Sequence, residues 1–114
     1  MDIKSFLQFI KFEKRFSAHT VLAYENDLEQ FSVFIKKLYD LEDPGQLTHS
    51  MIRSWIVDLM EKEISTRSIN RKLTSLKTFY KFLLRQGLVK SNPMIKVQAP
   101  KISKRLPSFV DESK

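Results

Sequence analysis

The sequence predicts an all-α fold, and two observations carry that prediction. Apolar residues recur every three or four positions through four stretches, as burial of one helical face requires. Nowhere is there the sustained alternation of a half-buried strand. Length agrees: 114 residues fit one domain, able to bury roughly two-thirds of the surface its unfolded chain exposes, so a core forms without staples.

The first helix runs from about Asp2 to Lys14, with Asp2 as its N-cap and Ile3, Phe6, Leu7 and Ile10 on one face. After "RFS" a second begins. Ser17 is placed to accept from the free amides of its first turn, and Val21, Tyr24, Leu28, Phe31, Ile35 and Leu38 repeat like a heptad up to an end near Tyr39. The loop "DLEDPGQL" follows, its Pro44-Gly45 pair a turn signal that no helix interior tolerates. Thr48 caps the third helix, which faces Ile52, Trp55, Ile56 and Leu59 inward.

"KEIS" connects to the fourth helix, capped by Ser65 and closed by Gly87 as the left-handed residue past its C-terminus. At 1.5 Å per residue it is about 33 Å long. Ile69, Leu73, Leu76, Tyr80 and Leu83 form its core stripe, and Phe79, Tyr80 and Phe82 fit core packing better than base stacking. Asn92-Pro93 starts one further turn over "PMIKV", since proline suits the first helical position. The helical domain therefore occupies residues 1–97. In "QAPKISKRLPSFVDESK", residues 98–114, the periodicity stops, and Pro100 and Pro107 forbid a continuous helix. With no glycine, and with Lys101, Lys104 and Arg105 spreading it, this segment reads as an extended linker.

Several function classes drop out on composition. There is no cysteine and there are two histidines, so thiolate chemistry is excluded, a zinc site would have to lean on carboxylates, and no metal or cofactor is expected. No nucleophile has an adjacent base and orienting group, the two glycines make no phosphate loop, and no small-molecule ligand is expected. No apolar run approaches the ~20 residues that cross a bilayer. "MDIKSFLQFIKFEKRF" mixes charge with apolar residues instead of forming a signal-peptide core, and a cytoplasmic protein is the expectation.

Charge is the informative property. The formal net charge is +7, but residues 1–63 hold 8 Lys+Arg against 11 Asp+Glu, whereas residues 64–110 hold 11 Lys+Arg and no acid. Such asymmetry points to a polyanionic partner, double-stranded DNA first; a helical interaction module meeting an acidic protein or an anionic surface is the alternative.

On the fourth helix Arg67, Arg71, Thr74, Thr78, Lys81 and Arg85 fall on the side away from the core, a face with no acid to neutralise it. Arg67 and Arg71, one turn apart, could reach neighbouring phosphates or the O6/N7 edge of guanine. Ser65, Thr66 and Ser68 crowd the helix N-terminus, where free N–H groups favour an anion. The second helix adds Ser17, His19, Thr20 and Tyr24. For Ser17 capping and phosphate contact both stand open, Tyr24 lies on the core-facing repeat, and His49 reads as a surface or capping residue.

"FEKRFSAHTVLAYENDLEQF" resembles the N-terminal signature of tyrosine site-specific recombinases, with its E-K, Ser-x-x-Thr and Tyr-x-x-Asp-Leu. "STRSINRKLTSLKTFYKFLLRQG", then "NP" and "PK…RLP", is similar to the rest of the same domain, and the Xer-type members are the nearest in pattern. The resemblance implies a core-binding domain, a four-helix SAM-like bundle whose second and fourth helices enter adjacent major-groove surfaces. It implies a longer protein too: a catalytic domain beginning about where "LPSFVDESK" stands would supply the tyrosine that forms a covalent 3′-phosphotyrosyl link. A recombinase tetramer on two DNA sites, in chromosome-dimer resolution or DNA integration and associated with the nucleoid, is the implied setting. By the same token Tyr24, Tyr39 and Tyr80 lie in the wrong region to be the nucleophile, and residues 98–114 would be an interdomain linker.

Overall fold

The computed structural model describes residues 3–97. Helix α1 spans Ile3–Gln8 and continues as a π-helical turn over Phe9–Glu13; α2 spans Ala18–Tyr39, α3 His49–Glu61 and α4 Thr66–Arg85. Short 3₁₀ turns at Pro44–Gln46 and Pro93–Lys96 complete the order, and no strand occurs among the described residues. The all-helical prediction holds.

Local chemistry explains the boundaries. Ser17 accepts from the Thr20 amide at 3.2 Å, Thr48 from Met51 at 3.3 Å and Ser65 from Ser68 at 3.2 Å, each satisfying one of the amides a first turn leaves free. At the end of α4, Gly87 has φ +75°; its N–H donates to the Leu84 carbonyl at 3.1 Å and that of Leu88 to Leu83 at 2.9 Å, a Schellman closure. Asn92 caps the last 3₁₀ turn through the Met94 amide at 2.9 Å, with Pro93 first in the turn.

The first helix is a correction. A single α-helix from Asp2 to Lys14 is not what forms: the Lys14 amide reaches back five residues to Phe9 at 3.2 Å, and Phe16 reaches Ile10 at 2.9 Å. The widened turn buries Ile10, sets Phe9 against Phe82 with ring centroids 5.0 Å apart, and leaves Phe12 exposed. Asp2 and its capping role lie outside the described residues, as does the linker reading of residues 98–114.

All four helices converge on one core. Phe6, Ile10, Leu28, Phe31, Ile35, Ile52, Trp55, Ile56, Leu59, Ile69, Leu73, Leu76, Phe79, Tyr80, Phe82 and Leu83 are buried. The inward stripes of α3 and α4 are therefore as predicted. Leu38 is the exception: read as the last member of α2's repeat, it is 57 % exposed, on the rim of an open groove where nothing covers it. Polar groups seal two crossings: Tyr80 donates to the Pro44 carbonyl at 2.8 Å, and Tyr39 shares a hydrogen bond with Ser54 at 2.8 Å. Burial pushes the Tyr80 phenol well above its ordinary 10.0, with the Asp43 carboxylate a second cause.

Candidate nucleic-acid interface

Helices α2 and α4 lie side by side, and an ionic cluster pins them. Asp27, 1 % exposed, accepts at Oδ1 from Arg71 Nη2 at 2.9 Å and from Lys72 Nζ at 3.1 Å, and at Oδ2 from the Ser75 hydroxyl at 2.9 Å. Lys72 also donates to Gln30 Oε1 at 2.7 Å. Asp27 is in place because it follows Tyr24 by three residues and precedes Phe31 by four, which puts it on α2's packed face. An acid there needs opposite charge, and α4 supplies it.

This cluster corrects one expectation and extends the site. The outer face of α4 carries no acid of its own, yet Arg71 is not unneutralised: α2 brings Asp27 to it. Asp27, Lys72 and Ser75 were absent from the sequence-predicted set. The signal was available, since Lys72 and Ser75 flank the core residues Leu73 and Leu76, where a side chain meets the neighbouring helix.

Beside the cluster, His19, Thr20, Tyr24, Arg71, Thr74 and Ser75 line a shallow groove of about 370 Å³ between the two helices. The fold thus brings together His19, Thr20 and Tyr24 from α2 with Arg71 and Thr74 from α4. Tyr24 is half-buried, edge-on to Phe6 at 5.7 Å and stacked on Phe16 at 5.9 Å, so its ring is part of the packing while it borders the groove. Ser17, the cap of α2, also shares a hydrogen bond with the Thr20 hydroxyl at 2.9 Å.

The remaining predicted residues do not border this groove. Ser65, Thr66, Arg67 and Ser68 form the N-terminal turn of α4, where the Ser65 hydroxyl donates to that of Ser68 at 3.0 Å. Thr74 and Thr78 donate their hydroxyls to carbonyls of their own helix, Asn70 and Thr74, each at 3.0 Å, and offer oxygen acceptors outward. Lys81 is exposed, and so is Lys77, a further cation of α4. Of the six α4 cations only Lys72 is buried. Arg67, Arg71, Lys77, Lys81 and Arg85 share a ~120° arc at 100° per residue, opposite the core stripe.

No helix among the described residues is long and apolar enough to cross a membrane. Residues 3–87 match the family model described as "Phage integrase, N-terminal SAM-like domain". Curated relatives include proteins named tyrosine recombinase XerC: that of Oceanobacillus iheyensis is 38 % identical over 108 residues, covering 95 % of this chain and 35 % of the relative. That of Leptospira interrogans is 45 % identical over 105 residues, 91 % and 33 % of the two chains, and that of Bacillus subtilis 32 % identical over 108, 95 % and 35 %. The chain thus spans about a third of the length of the curated relatives it matches. No solved structure matches it. The matched span takes in α1 through α4 and both helices of the ionic cluster, and the chain belongs to the N-terminal SAM-like domain family of phage integrases and Xer-type tyrosine recombinases.

Proposed function

We propose that this chain grips duplex DNA, seating α2 and α4 against the major groove of a recombination half-site. One observation carries the reading: α4 turns five of its six cations outward on one arc, while its single buried cation is neutralised by Asp27. A face of that kind displaces condensed counterions from phosphates, which is where most of the affinity for nucleic acid arises. Ser17, His19, Thr20 and Tyr24 on α2, and Ser65, Thr66, Arg67, Ser68, Arg71, Thr74, Thr78 and Lys81 on α4, are the proposed contact residues. In the longer proteins of the family this grip would hold one half-site for strand exchange, with a recombinase tetramer on two sites and the nucleophilic tyrosine supplied from outside this domain.

Salt titration of duplex binding by the 114-residue chain is the test. Each phosphate neutralised contributes a slope of about −0.9 in log K against log salt, so engagement of most of the arc gives a slope of roughly −3 to −4. An affinity unchanged by salt overturns the reading, and stronger binding to anionic vesicles than to duplex favours the anionic-surface alternative. The chain alone should form no denaturant-resistant adduct with DNA: Tyr80 is buried and Tyr24 and Tyr39 are half-buried in packing. Such a band, lost when one of these three becomes phenylalanine, would contradict that expectation.

A further inference from the structure

The ionic cluster holds more charge than its structural role requires. Lys72 and Ser75 already give the buried Asp27 carboxylate a partner on each oxygen, and Lys72 alone cancels its charge. Arg71 is a surplus cation on the same Oδ1, its side chain 57 % exposed at the edge of the groove between α2 and α4. The other outward cations of α4 differ: Arg67, Lys77, Lys81 and Arg85 have no ion pair among the described residues. One arginine is held in place and its neighbours are not.

We propose that Asp27 is a positioning residue for sequence readout: it clamps one nitrogen of the Arg71 guanidinium so that the rest of the fork is presented to a guanine edge at this groove. Lys72 and Ser75 hold Asp27 itself. A guanidinium carries five N–H donors in a rigid plane, and a single bond to Asp27 fixes that plane while leaving donors for a second, bidentate partner. An unclamped arginine loses rotamer freedom on binding; a clamped one has already lost it, and a fixed plane donates to the O6/N7 pair of guanine better than to the edges of the other bases. Lys72 keeps the carboxylate from repelling the duplex, because the buried pair is neutral before Arg71 is counted. The unclamped cations then supply phosphate attraction without reading sequence. This inference rests on the DNA-binding reading and adds to it a specificity device.

Two measurements test it. Without DNA, nitrogen-15 spectra of the arginine side chains should show slowed rotation of the Arg71 guanidinium in the parent chain and fast averaging in Asp27→Asn. With DNA, the parent and variants select from short duplexes of randomised sequence at fixed salt. The parent should prefer guanine at one position by at least roughly fivefold. Asp27→Asn and Arg71→Lys should flatten that preference while keeping the salt slope; Arg67→Ala should weaken all sequences alike. Arg71→Lys keeps the charge but not the fork and tests the readout; if Asp27→Asn unfolds, the clamp is decided in the parent chain, where an Arg71 guanidinium rotating as fast as that of Arg67 overturns the proposal. Lys72→Met, which disturbs the same cluster without unclamping Arg71, should keep the preference. A folded Asp27→Asn or an Arg71→Lys chain that still reads guanine overturns the proposal, as does a parent that binds duplex but prefers no base. A parent that binds no duplex at all overturns the DNA reading along with it.

Discussion

Helix α2 carries two ionic clusters of mirror-image composition, and they differ in everything except distance. At its middle, Asp27 meets two cations of α4 at 2.9 and 3.1 Å; near its end, Lys36 meets Asp40 and Glu42, both at 3.0 Å. Asp27 is 1 % exposed, whereas the Lys36, Asp40 and Glu42 side chains are 52 %, 87 % and 70 % exposed. The pKa of the Lys36 ammonium is raised above its ordinary value, first by the hydrogen bond it donates to Glu42 and second by that to Asp40, yet water screens all three groups. Burial, not separation, decides what an ion pair does for a fold. The Asp27 carboxylate and the Lys72 ammonium are both out of water, so removing Asp27 strands the Lys72 charge.

The largest expected effect tests that contrast. Asp27→Ala leaves Lys72 buried without its carboxylate and should cost about 3–5 kcal/mol in urea unfolding. A loss near zero would place Asp27 on the same footing as Lys36. Next, Ser65→Ala removes the α4 cap and should cost about 1 kcal/mol, because one first-turn amide loses its partner.

Tyr80→Phe should also cost about 1 kcal/mol through the lost bond to Pro44. Its pH dependence has a definite sign. The folded phenol ionises above the ordinary 10.0, so its contribution is whole below that pH and falls as the pH rises beyond it, and the gap between parent and Tyr80→Phe narrows in alkaline urea titrations. A gap that widened there would contradict the burial argument. The smallest effect is that of Lys36→Ala, which should leave the urea midpoint where it is; a clear drop would erase the distinction between the two clusters.

The same contrast explains what the sequence discloses. Caps at Ser17, Thr48 and Ser65, the glycine at 87 and the stripes of α3 and α4 depend on residues a few positions apart, and all were legible. Asp27 and its partners are 44 to 48 positions apart, and no local rule pairs them. Asp27 could be read as part of a family motif but not as the acid that neutralises α4. The π turn at Phe9–Glu13 was hidden for a related reason: it depends on how Phe9 meets Phe82 on another helix. Leu38 stays exposed because α2's heptad continues past the point where a neighbour covers it. On the candidate site, the outward face of α4 was legible from periodicity, whereas which of its arginines is held and which are not required the partner helix.

The claim that α4's outward arc grips DNA is tested most directly by removing equal charge from two places on the molecule. Arg67→Gln with Lys81→Gln takes two cations from the arc; Lys36→Gln with Lys37→Gln takes two from the end of α2. Duplex affinity is measured for both chains across a salt series, with circular dichroism confirming the fold. The arc variant should bind more weakly at every salt and lose roughly 2 from the magnitude of its log–log slope, while the α2 variant keeps the parent's slope. Equal losses from the two places would mean that only net charge matters, and would contradict the account.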